Sequence, residues 1–341
     1  MKKILLTGAT GAIGLEVLQQ LDAADKLHGV SVFVRDSRHT KRVLKPFGDK
    51  IKVLYGDITN RDNVQQAVQL QDVVIHLAAV IPTVENTNDA LVHKVNVLGT
   101  ENLVNSMEAE CPDAMLLYSS SIAIYGDRLK DPDIRASDPH KGLAHDTYAR
   151  TKVEAERLIK SSQLNWSIFR LTAIMGIGNH KLSKLMFHMP LETPMEICTL
   201  RDTARAFVNA IDHKEALTGR VLNLGGGAPC RINYFDFLSK AFNAFGLGKV
   251  NFPSYAFAAQ NFHCGHFVDG DEMEEILQFR SDDIASYFKR FEASVPKVQR
   301  SLTRPFAGIV KWFLLQLSEP YKAYKKGDHE RIQFFFGTIV E

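Results

Sequence analysis

Short apolar runs and longer amphipathic stretches alternate along the first half of the chain. The runs fall at Lys3–Thr7, Ser31–Arg35, Lys52–Tyr55, Asp72–Leu77, Ala114–Ser119 and Trp166–Leu171. Apolar and polar positions do not alternate cleanly within them, which is the pattern of strands buried on both faces. Residues 13–24, 61–69, 88–109 and 147–162 instead space their apolar side chains at helical intervals. Strand, helix and strand in repeated succession predict βαβ units and a parallel sheet. Past Leu171 the pattern loosens. Residues 201–212 and 233–245 read as helices, and "GRVLNLGGG" (219–227) as a strand entering a tight loop. Beyond residue 250 the chain is aromatic-rich and its periodicity assigns few elements.

Composition narrows the class without changing this outline. The chain has 341 residues, 45% hydrophobic and 23% charged, an ordinary globular balance. A net charge of +2 gives no general drive toward nucleic acid. Cys111, Cys198, Cys230 and Cys264 are scattered and form no Cys-x-x-Cys pair, so they are expected to be reduced thiols in a cytoplasmic protein. "MKKILLTGATGAIG" starts like an export signal, but only Ile4, Leu5 and Leu6 precede the glycines, short of the about 7–15 apolar residues needed. No run reaches ~18 apolar residues, so no membrane span is expected.

"TGATGAIG" sets Gly8, Gly11 and Gly14 directly after the first strand and at the mouth of the first helix. Glycines there permit a tight turn, and the helix N-terminus offers free N–H groups to a pyrophosphate. The Gly-x-x-Gly-x-x-Gly spacing departs from the commoner Gly-x-Gly-x-x-Gly form, but strand and helix flank it correctly. The expected architecture is therefore α/β: a Rossmann-type doubly wound parallel sheet with a smaller, mostly C-terminal substrate lobe. Residues 1–173 would form the dinucleotide-binding domain, with 196–228 returning to it. Residues 174–195 and 229–341 would form the lobe and tail.

The second strand ends "VFVRDSRHTKR". An acidic residue at that point suits the ribose 2′-hydroxyl of NAD, whereas an arginine accommodates the 2′-phosphate of NADP. Arg35, Arg38, Lys41 and Arg42 favour NADP(H), and Asp36 keeps NAD(H) as the alternative. Asp57 in "YGDIT" stands where a carboxylate could meet an adenine amino group. Ala78 and Ala79 in "HLAAV" leave room for a flat cofactor. Asn96 sits in a predicted helix that has no need of it. In "DTYARTK", Tyr148 and Lys152 lie one helical turn apart. A free tyrosine titrates near ~10, so a fixed ammonium beside it could bring it into use as an acid–base group.

"TGATGAIG", "GDIT", "HLAA", "NVLGT", "SSSIAIYG" and "YARTK" follow in this order over roughly residues 3–230. With "FRLTAIMG" and "TLRDTARAF" behind them, the chain resembles an extended short-chain dehydrogenase/reductase. The resemblance implies an NAD(P)-dependent enzyme in which Tyr148 is the acid–base residue and Lys152 lowers its pKa and binds the nicotinamide ribose. It makes Ser121 the best match for the serine holding the substrate oxygen, with Ser119 and Ser120 left open. Asn96 matches an asparagine that holds a helix kink and a water in the proton path. The implied cofactor contacts are Gly8, Thr10, Gly11, Ala12, Ile13, Gly14, Arg35, Asp36, Arg38, Asp57, Ile58, Leu77, Ala78, Ala79 and Ser119, with Tyr148 and Lys152. The family often dimerises through helices matching 88–109 and 147–162, so a homodimer is expected by resemblance alone.

Within the family, "VRDSRHTKRVL" is similar to dihydroflavonol-reductase-like members, and a 3β-hydroxysteroid-dehydrogenase-like reading also fits. The expected reaction interconverts a ketone or aldehyde and an alcohol on a bulky apolar substrate. A nucleotide-sugar epimerase using NAD is the alternative. Sugar dehydratases of the family carry Asp-Glu where this chain has Ile122-Ala123, which speaks against dehydration. A cofactor-binding sensor or scaffold is a further alternative, although such relatives usually lose the Tyr-Lys pair. Met175, Met186, Phe187, Met189, Met195, Phe252, Tyr255, Phe257, Phe262 and Phe267 suggest an apolar lobe, whether as core or pocket lining. Only His180, Lys181, Lys184 and Arg231 offer themselves to a diphosphate there. "HCGH" (His263, Cys264, His266) reads as a polar loop rather than a metal site, and no metal is expected. Near the C-terminus, Phe306, Ile309, Val310, Phe313, Leu314 and Leu317 recur at helical spacing beside several lysines. This stretch reads as a helix packed on the lobe or on a second subunit, with membrane-surface contact as the alternative.

Overall fold

Main-chain pairing bears out the alternating pattern of the first half. In the structure, a computed structural model that describes residues 2–81, 88–141, 146–178 and 182–337, the chain begins with β1 (Ile4–Thr7), α1 (Ala12–Ala23), β2 (Val30–Val34), α2 (Arg38–Leu44), β3 (Lys52–Tyr55), α3 (Arg61–Val68) and β4 (Val73–His76). Then come α4 (Asp89–His93), a π-helical turn (Lys94–Leu98), α5 (Gly99–Glu110), β5 (Met115–Ser121), the short β6 (Asp133–Ile134), α6 (Thr147–Lys160) and β7 (Asn165–Leu171). The next part holds β8 (Ala173–Met175), β9 (Pro194–Thr199), α7 (Leu200–Ala210), α8 (Lys214–Leu217) and β10 (Arg220–Leu224).

Seven of these strands form one parallel sheet in the order β10-β7-β5-β4-β1-β2-β3. The chain winds outward from β1 to β3, then restarts at β4 on the other side of β1. The strand order therefore reverses between β1 and β4, where Thr7 pairs in register with His76. Both faces of the sheet are covered. Ile4, Leu6 and Val32 pack with α1 and α7 in one apolar cluster. Leu5, Val74, Leu116 and Ile168 pack into a second cluster with residues of α3, α5 and α6. Two buried faces explain why the strands lack alternation.

The lobe is built from β8, β9, β11 (Arg231–Asn233) and α9 (Tyr234–Phe245), followed by β12 (His266–Phe267), α10 (Asp271–Leu277) and α11 (Ile284–Ser294). Strands β11-β9-β8 make a small sheet of their own, and β12 pairs with β6. The lobe's core contains Met186, Phe187, Met189, Met195, Phe237, Phe242, Phe288 and Phe291. Strand β9 pairs in the lobe sheet, while its Cys198 packs into the β1-centred core that α7 then joins. A second return lies in the tail: Met273, Leu277 and Phe279 are part of the β1-centred core. The remaining helices are α12 (Lys297–Thr303), α13 (Ala307–Leu315), α14 (Glu319–Lys326) and α15 (His329–Phe336). The C-terminal apolar stretch is thus broken between α13 and α14. Among the described residues, no helix is long and apolar enough to cross a membrane.

Candidate active site

The turn after β1 has to be glycine for reasons visible in its surroundings. Gly8 takes φ +72°, and a Cβ there would lie 2.7 Å from both the carbonyl carbon of Leu77 and the amide of Ala78. A Cβ on Gly14 would lie 2.3 Å from the Gly8 carbonyl oxygen. The chain can therefore fold α1 tightly over the end of β1 only without side chains at these positions. Gly11 is the N-cap of α1, and no side chain caps that terminus. By contrast Ser37, Asn60, Asn88, Asp146 and Thr199 cap α2, α3, α4, α6 and α7 with their own oxygens. The first-turn N–H groups of α1 are left for something else, which is the arrangement an anion needs. Thr10 is half-buried in the turn, Ala12 opens the helix, and Ile13 packs back onto the core.

β1 is bolted to β4 beside this turn. Thr7 Oγ1 meets His76 Nδ1 at 2.7 Å and accepts from the Ala78 amide at 3.2 Å. His76 Nε2 lies 3.2 Å from Thr100 Oγ1. Burial, with the Lys152 charge adding to it, pushes the imidazole down to about 3, so it is neutral.

Beyond β2, Arg35, Asp36 and Arg38 are exposed. Asp36 is held by Lys41 at 2.7 Å. Asp57 accepts from Thr59 N and Oγ1, both at 2.9 Å. The backbone bond of Thr59 is the main cause holding its carboxyl below the usual range, with Lys94 and Arg35 contributing charge. Ile58 is buried, and a Cβ on Gly99 would touch it at 2.9 Å. Its carbonyl accepts from Asn102 at 3.1 Å.

The three serines of β5 separate clearly. Ser119 Oγ donates to the His76 carbonyl at 3.2 Å, and Ser120 Oγ donates to Glu156 at 2.6 Å. Ser121, half-buried at the strand's end, is the one whose hydroxyl interacts with Tyr148. Lys152 is buried and donates to the Ser119 carbonyl at 2.6 Å. Its ammonium stands 4.7 Å from the Tyr118 ring centroid and 5.7 Å from that of Tyr148. Burial pushes Lys152 down to about 7, against the pull of Glu156. Burial pushes Tyr148 up to about 12, Ser121 works the other way, and Asp146 adds to the rise. In the protein by itself, then, burial outweighs any lowering of Tyr148 by the lysine, and the phenol keeps its proton.

Asn96 lies in the π-helical turn between α4 and α5. Its side chain accepts from Val80 N at 2.8 Å and donates to Val80 O at 3.0 Å and Thr151 Oγ1 at 3.2 Å. One amide thus joins the loop after β4, the kinked helix and the helix that carries Tyr148 and Lys152.

The network that sequence reasoning missed lies beneath. Glu156, one turn after Lys152 on α6, is buried and receives Arg170 Nε at 2.9 Å and Nη2 at 2.7 Å. Arg170 also donates to Tyr125 Oη at 2.8 Å, which donates to Asn223 at 2.8 Å. Asn223 in turn donates to Asp269 at 2.8 Å. The only local signal was the four-residue step from Lys152 to Glu156, and its partner Arg170 lies on another element.

Of the four lobe residues considered for a diphosphate, the two that are described are engaged by carboxylates. Lys184 lies 3.9 Å from Glu319, and Arg231 lies 3.1 Å from Glu196. His180 and Lys181 lie outside the described residues. Phe252, Tyr255 and Phe257 line an open cavity of about 480 Å³ with Leu191, Val250 and Phe336. Phe267 belongs instead with Tyr125 in a separate cluster. His263 and His266 of "HCGH" turn to different carboxylates, Asp146 at 3.4 Å and Asp133 at 3.6 Å. Asp146 is the N-cap of α6, so this loop ties the lobe to the helix of Tyr148.

Comparison with known proteins agrees with this fold. The model of the NAD dependent epimerase/dehydratase family matches residues 4–225. A 3 beta-hydroxysteroid dehydrogenase/Delta 5-->4-isomerase of Mycobacterium tuberculosis is 26% identical over 268 residues, spanning 72% of this chain and 70% of that protein. A UDP-glucose 4-epimerase of Pisum sativum is 30% identical over 202 residues, spanning 54% of this chain and 55% of its own. In fold, the chain is similar to the UDP-glucuronic acid 4-epimerase from Bacillus cereus solved with UDP-glucuronic acid and NAD. That likeness has a TM-score of 0.69 at 21% identity and covers 85% of this chain and 98% of the other.

Proposed function

This chain belongs to the NAD dependent epimerase/dehydratase family, and we propose that within it the protein is an NADP(H)-preferring oxidoreductase. It interconverts a ketone or aldehyde and an alcohol on a bulky, apolar substrate. The observation that carries the reading is the set of half-buried Ser121 and Tyr148 with buried Lys152, in a fold whose first helix has an uncapped glycine turn. The residues fit a dinucleotide. Gly8, Gly11 and Gly14 leave a cradle that a Cβ would fill, and the α1 N-terminus has no internal anion of its own. Arg35 and Arg38 would face the ribose end, with Lys41 shared with Asp36. Asp57 and the small Ala78 and Ala79 would border the cofactor's flat parts. When bound, a nicotinamide supplies or accepts the hydride.

The chain's own residues then manage the proton. Tyr148, held protonated by burial, is a donor to an oxygen that gains charge as a carbonyl is reduced. Ser121 orients that oxygen with a second hydroxyl. Burial draws Lys152 down to about 7, and its protonated ammonium stabilises the tyrosinate that remains. The closed wall of Tyr118 and His76 behind Lys152 excludes water, and the neutral imidazole adds no competing cation.

The apolar substrate is supported by the lobe: Lys184 and Arg231 already face carboxylates, and the cavity there is lined by aromatic side chains. The second reading, an NAD-dependent nucleotide-sugar epimerase, is favoured by Asp36 and by the likeness to a UDP-glucose 4-epimerase and to a UDP-glucuronic acid 4-epimerase solved with NAD. Titration with NADPH and NADH, followed by a carbonyl and nucleotide-sugar panel, separates the two. Tighter NADPH binding with carbonyl turnover is expected. Arg35→Ala should weaken NADPH by roughly tenfold and leave NADH unchanged. Tighter NADH binding with turnover of a UDP-sugar would overturn the proposal.

A further inference from the structure

Lys152 is buried without a counter-ion. It is 1% exposed, and among the described residues its ammonium makes no ion pair. An unpaired charge in such a place is costly, so another contact has to support it. Glu156, one turn further along α6, is already engaged by Arg170 at 2.7 Å, Lys160 at 3.1 Å and Ser120 at 2.6 Å. The ammonium's hydrogen bond goes to the Ser119 carbonyl at 2.6 Å.

Tyr118, the residue before Ser119 on β5, supplies the other contact. Its ring centroid lies 4.7 Å from the ammonium, nearer than that of Tyr148 at 5.7 Å. An aromatic face within about 6 Å attracts a cation, and more strongly where water is excluded. Tyr118 is itself buried, pairs in register with His76 and packs in the cluster under α5 and α6. Its hydroxyl has no hydrogen-bond partner among the described residues, so Lys152 meets the ring and not the oxygen. Burial also pushes the Tyr118 phenol well above its ordinary value, which keeps the ring neutral.

We propose that Tyr118 is a positioning residue for Lys152: its ring face, with the Ser119 carbonyl, holds the buried ammonium in place of a carboxylate. The difference matters for Tyr148. A carboxylate at that distance would cancel the field of the ammonium, whereas a neutral ring supports the charge and leaves the field intact. The consequence for catalysis rests on the role given to Lys152 in the proposed reaction, but the contact itself involves no substrate.

The titratable groups facing Lys152 are Tyr148 and Glu156 on its own helix, Tyr118 on β5 and His76 on β4. Arg170 on β7 faces Glu156, His93 on α4 faces Glu154, Glu108 on α5 accepts from Gln163 N, and Lys94 of the π-helical turn lends its charge to Asp57. Glu156 at about 2, His76 at about 3 and Tyr148 at about 12 leave Lys152, at about 7, as the group of that set that changes charge between pH 5 and pH 10. The ring favours the charged lysine, so its contribution to folding is present below about 7 and lost as pH rises past it.

Thermal melts of the full chain at pH 5 and pH 10 test this without substrate or cofactor, so their outcome is separate from that of the NADPH and carbonyl assays. Tyr118→Leu should lower the melting temperature at both, by roughly 2–4 °C more at pH 5. In a Lys152→Met background the same change should cost equally at the two pH values, since only packing is then lost. Tyr118→Phe, which keeps the ring, should show no such pH-dependent loss. A second comparison holds the packing nearly fixed: phenylalanine against ring-trifluorinated phenylalanine at position 118, which drains the face of negative charge. The fluorinated ring should reproduce the loss at pH 5, and it decides the matter if Tyr118→Leu does not fold. Equal losses at both pH values overturn the proposal, and so does a pH-dependent loss that persists in Lys152→Met.

Discussion

At the residue scale, the candidate site is a tyrosine and a lysine whose titrations burial has moved apart. Tyr148 stands at about 12 and Lys152 at about 7. Replacing Tyr148 with Phe should lower turnover by roughly 10²–10⁴-fold with cofactor affinity unchanged, since only a proton donor is lost. A loss under tenfold in steady-state turnover would remove Tyr148 from the proton path. Lys152→Met should also cost activity, yet not stability. The folded-state pKa of Lys152 is depressed below its unfolded 10.5, so folding works against a proton that the unfolded chain keeps. That penalty is full below about 7 and fades as pH rises toward 10.5. The variant's melting temperature should therefore exceed that of the unmodified protein most at pH 6, and the gap should close by pH 10. A gap independent of pH would contradict a buried ammonium. Residue types alone pointed to both side chains. They did not tell Ser121 from Ser119 and Ser120, because the three hydroxyls differ only in what folds against them.

At the element scale, two local departures from regular structure hold the site. The close contact of Gly14 with the Gly8 carbonyl involves backbone on both sides, so a methyl group cannot be accommodated by a side-chain rotation. Gly14→Ala should push α1 away from β1, lower stability by about 1–3 kcal/mol and abolish dinucleotide binding. Isothermal titration together with a denaturant melt checks both. The π-helical turn is the second departure. Asn96 satisfies both main-chain groups of Val80, so Asn96→Ala leaves a part-buried N–H and C=O without that partner, at a cost of about 1 kcal/mol. Faster amide exchange around Val80 and a lower kcat are expected, while Asn96→Asp should retain the contact to Val80 N. The glycine positions were legible because strand, turn and helix are contiguous. The π turn was not, since Asn96 is drawn into it by a loop sixteen residues away.

At the scale of the whole molecule, the buried chain Glu156–Arg170–Tyr125–Asn223–Asp269 ties the helix of the site to the central strands and to the lobe. Burial pushes the Glu156 carboxyl up, but the bonds and charge of Arg170 outweigh it and hold the group at about 2. Its folded pKa lies below the unfolded one, so the pair stabilises above about pH 4.5 and less as pH falls toward 2. Arg170→Met strands the carboxylate and should cost about 3–5 kcal/mol at pH 7. That deficit should shrink toward pH 4, where the lone carboxyl protonates. Adding Glu156→Leu to the same variant should recover part of the loss. No recovery in a urea melt would argue against direct coupling.

What the sequence by itself determined is what contiguous residues encode. Buried apolar runs set the strands, helical spacing set the helices, and the Gly8 turn and the Tyr148–Lys152 step set the two ends of the site. Tertiary structure decided what depends on distant partners. It set Ser121 beside Tyr148, paired Glu156 with Arg170, put β9 in the lobe sheet and brought Met273, Leu277 and Phe279 back to the first core. It also left one face of α12 and α13 uncovered. Periodicity says that a side of a helix is apolar, but only the packing of other elements determines whether that side is buried.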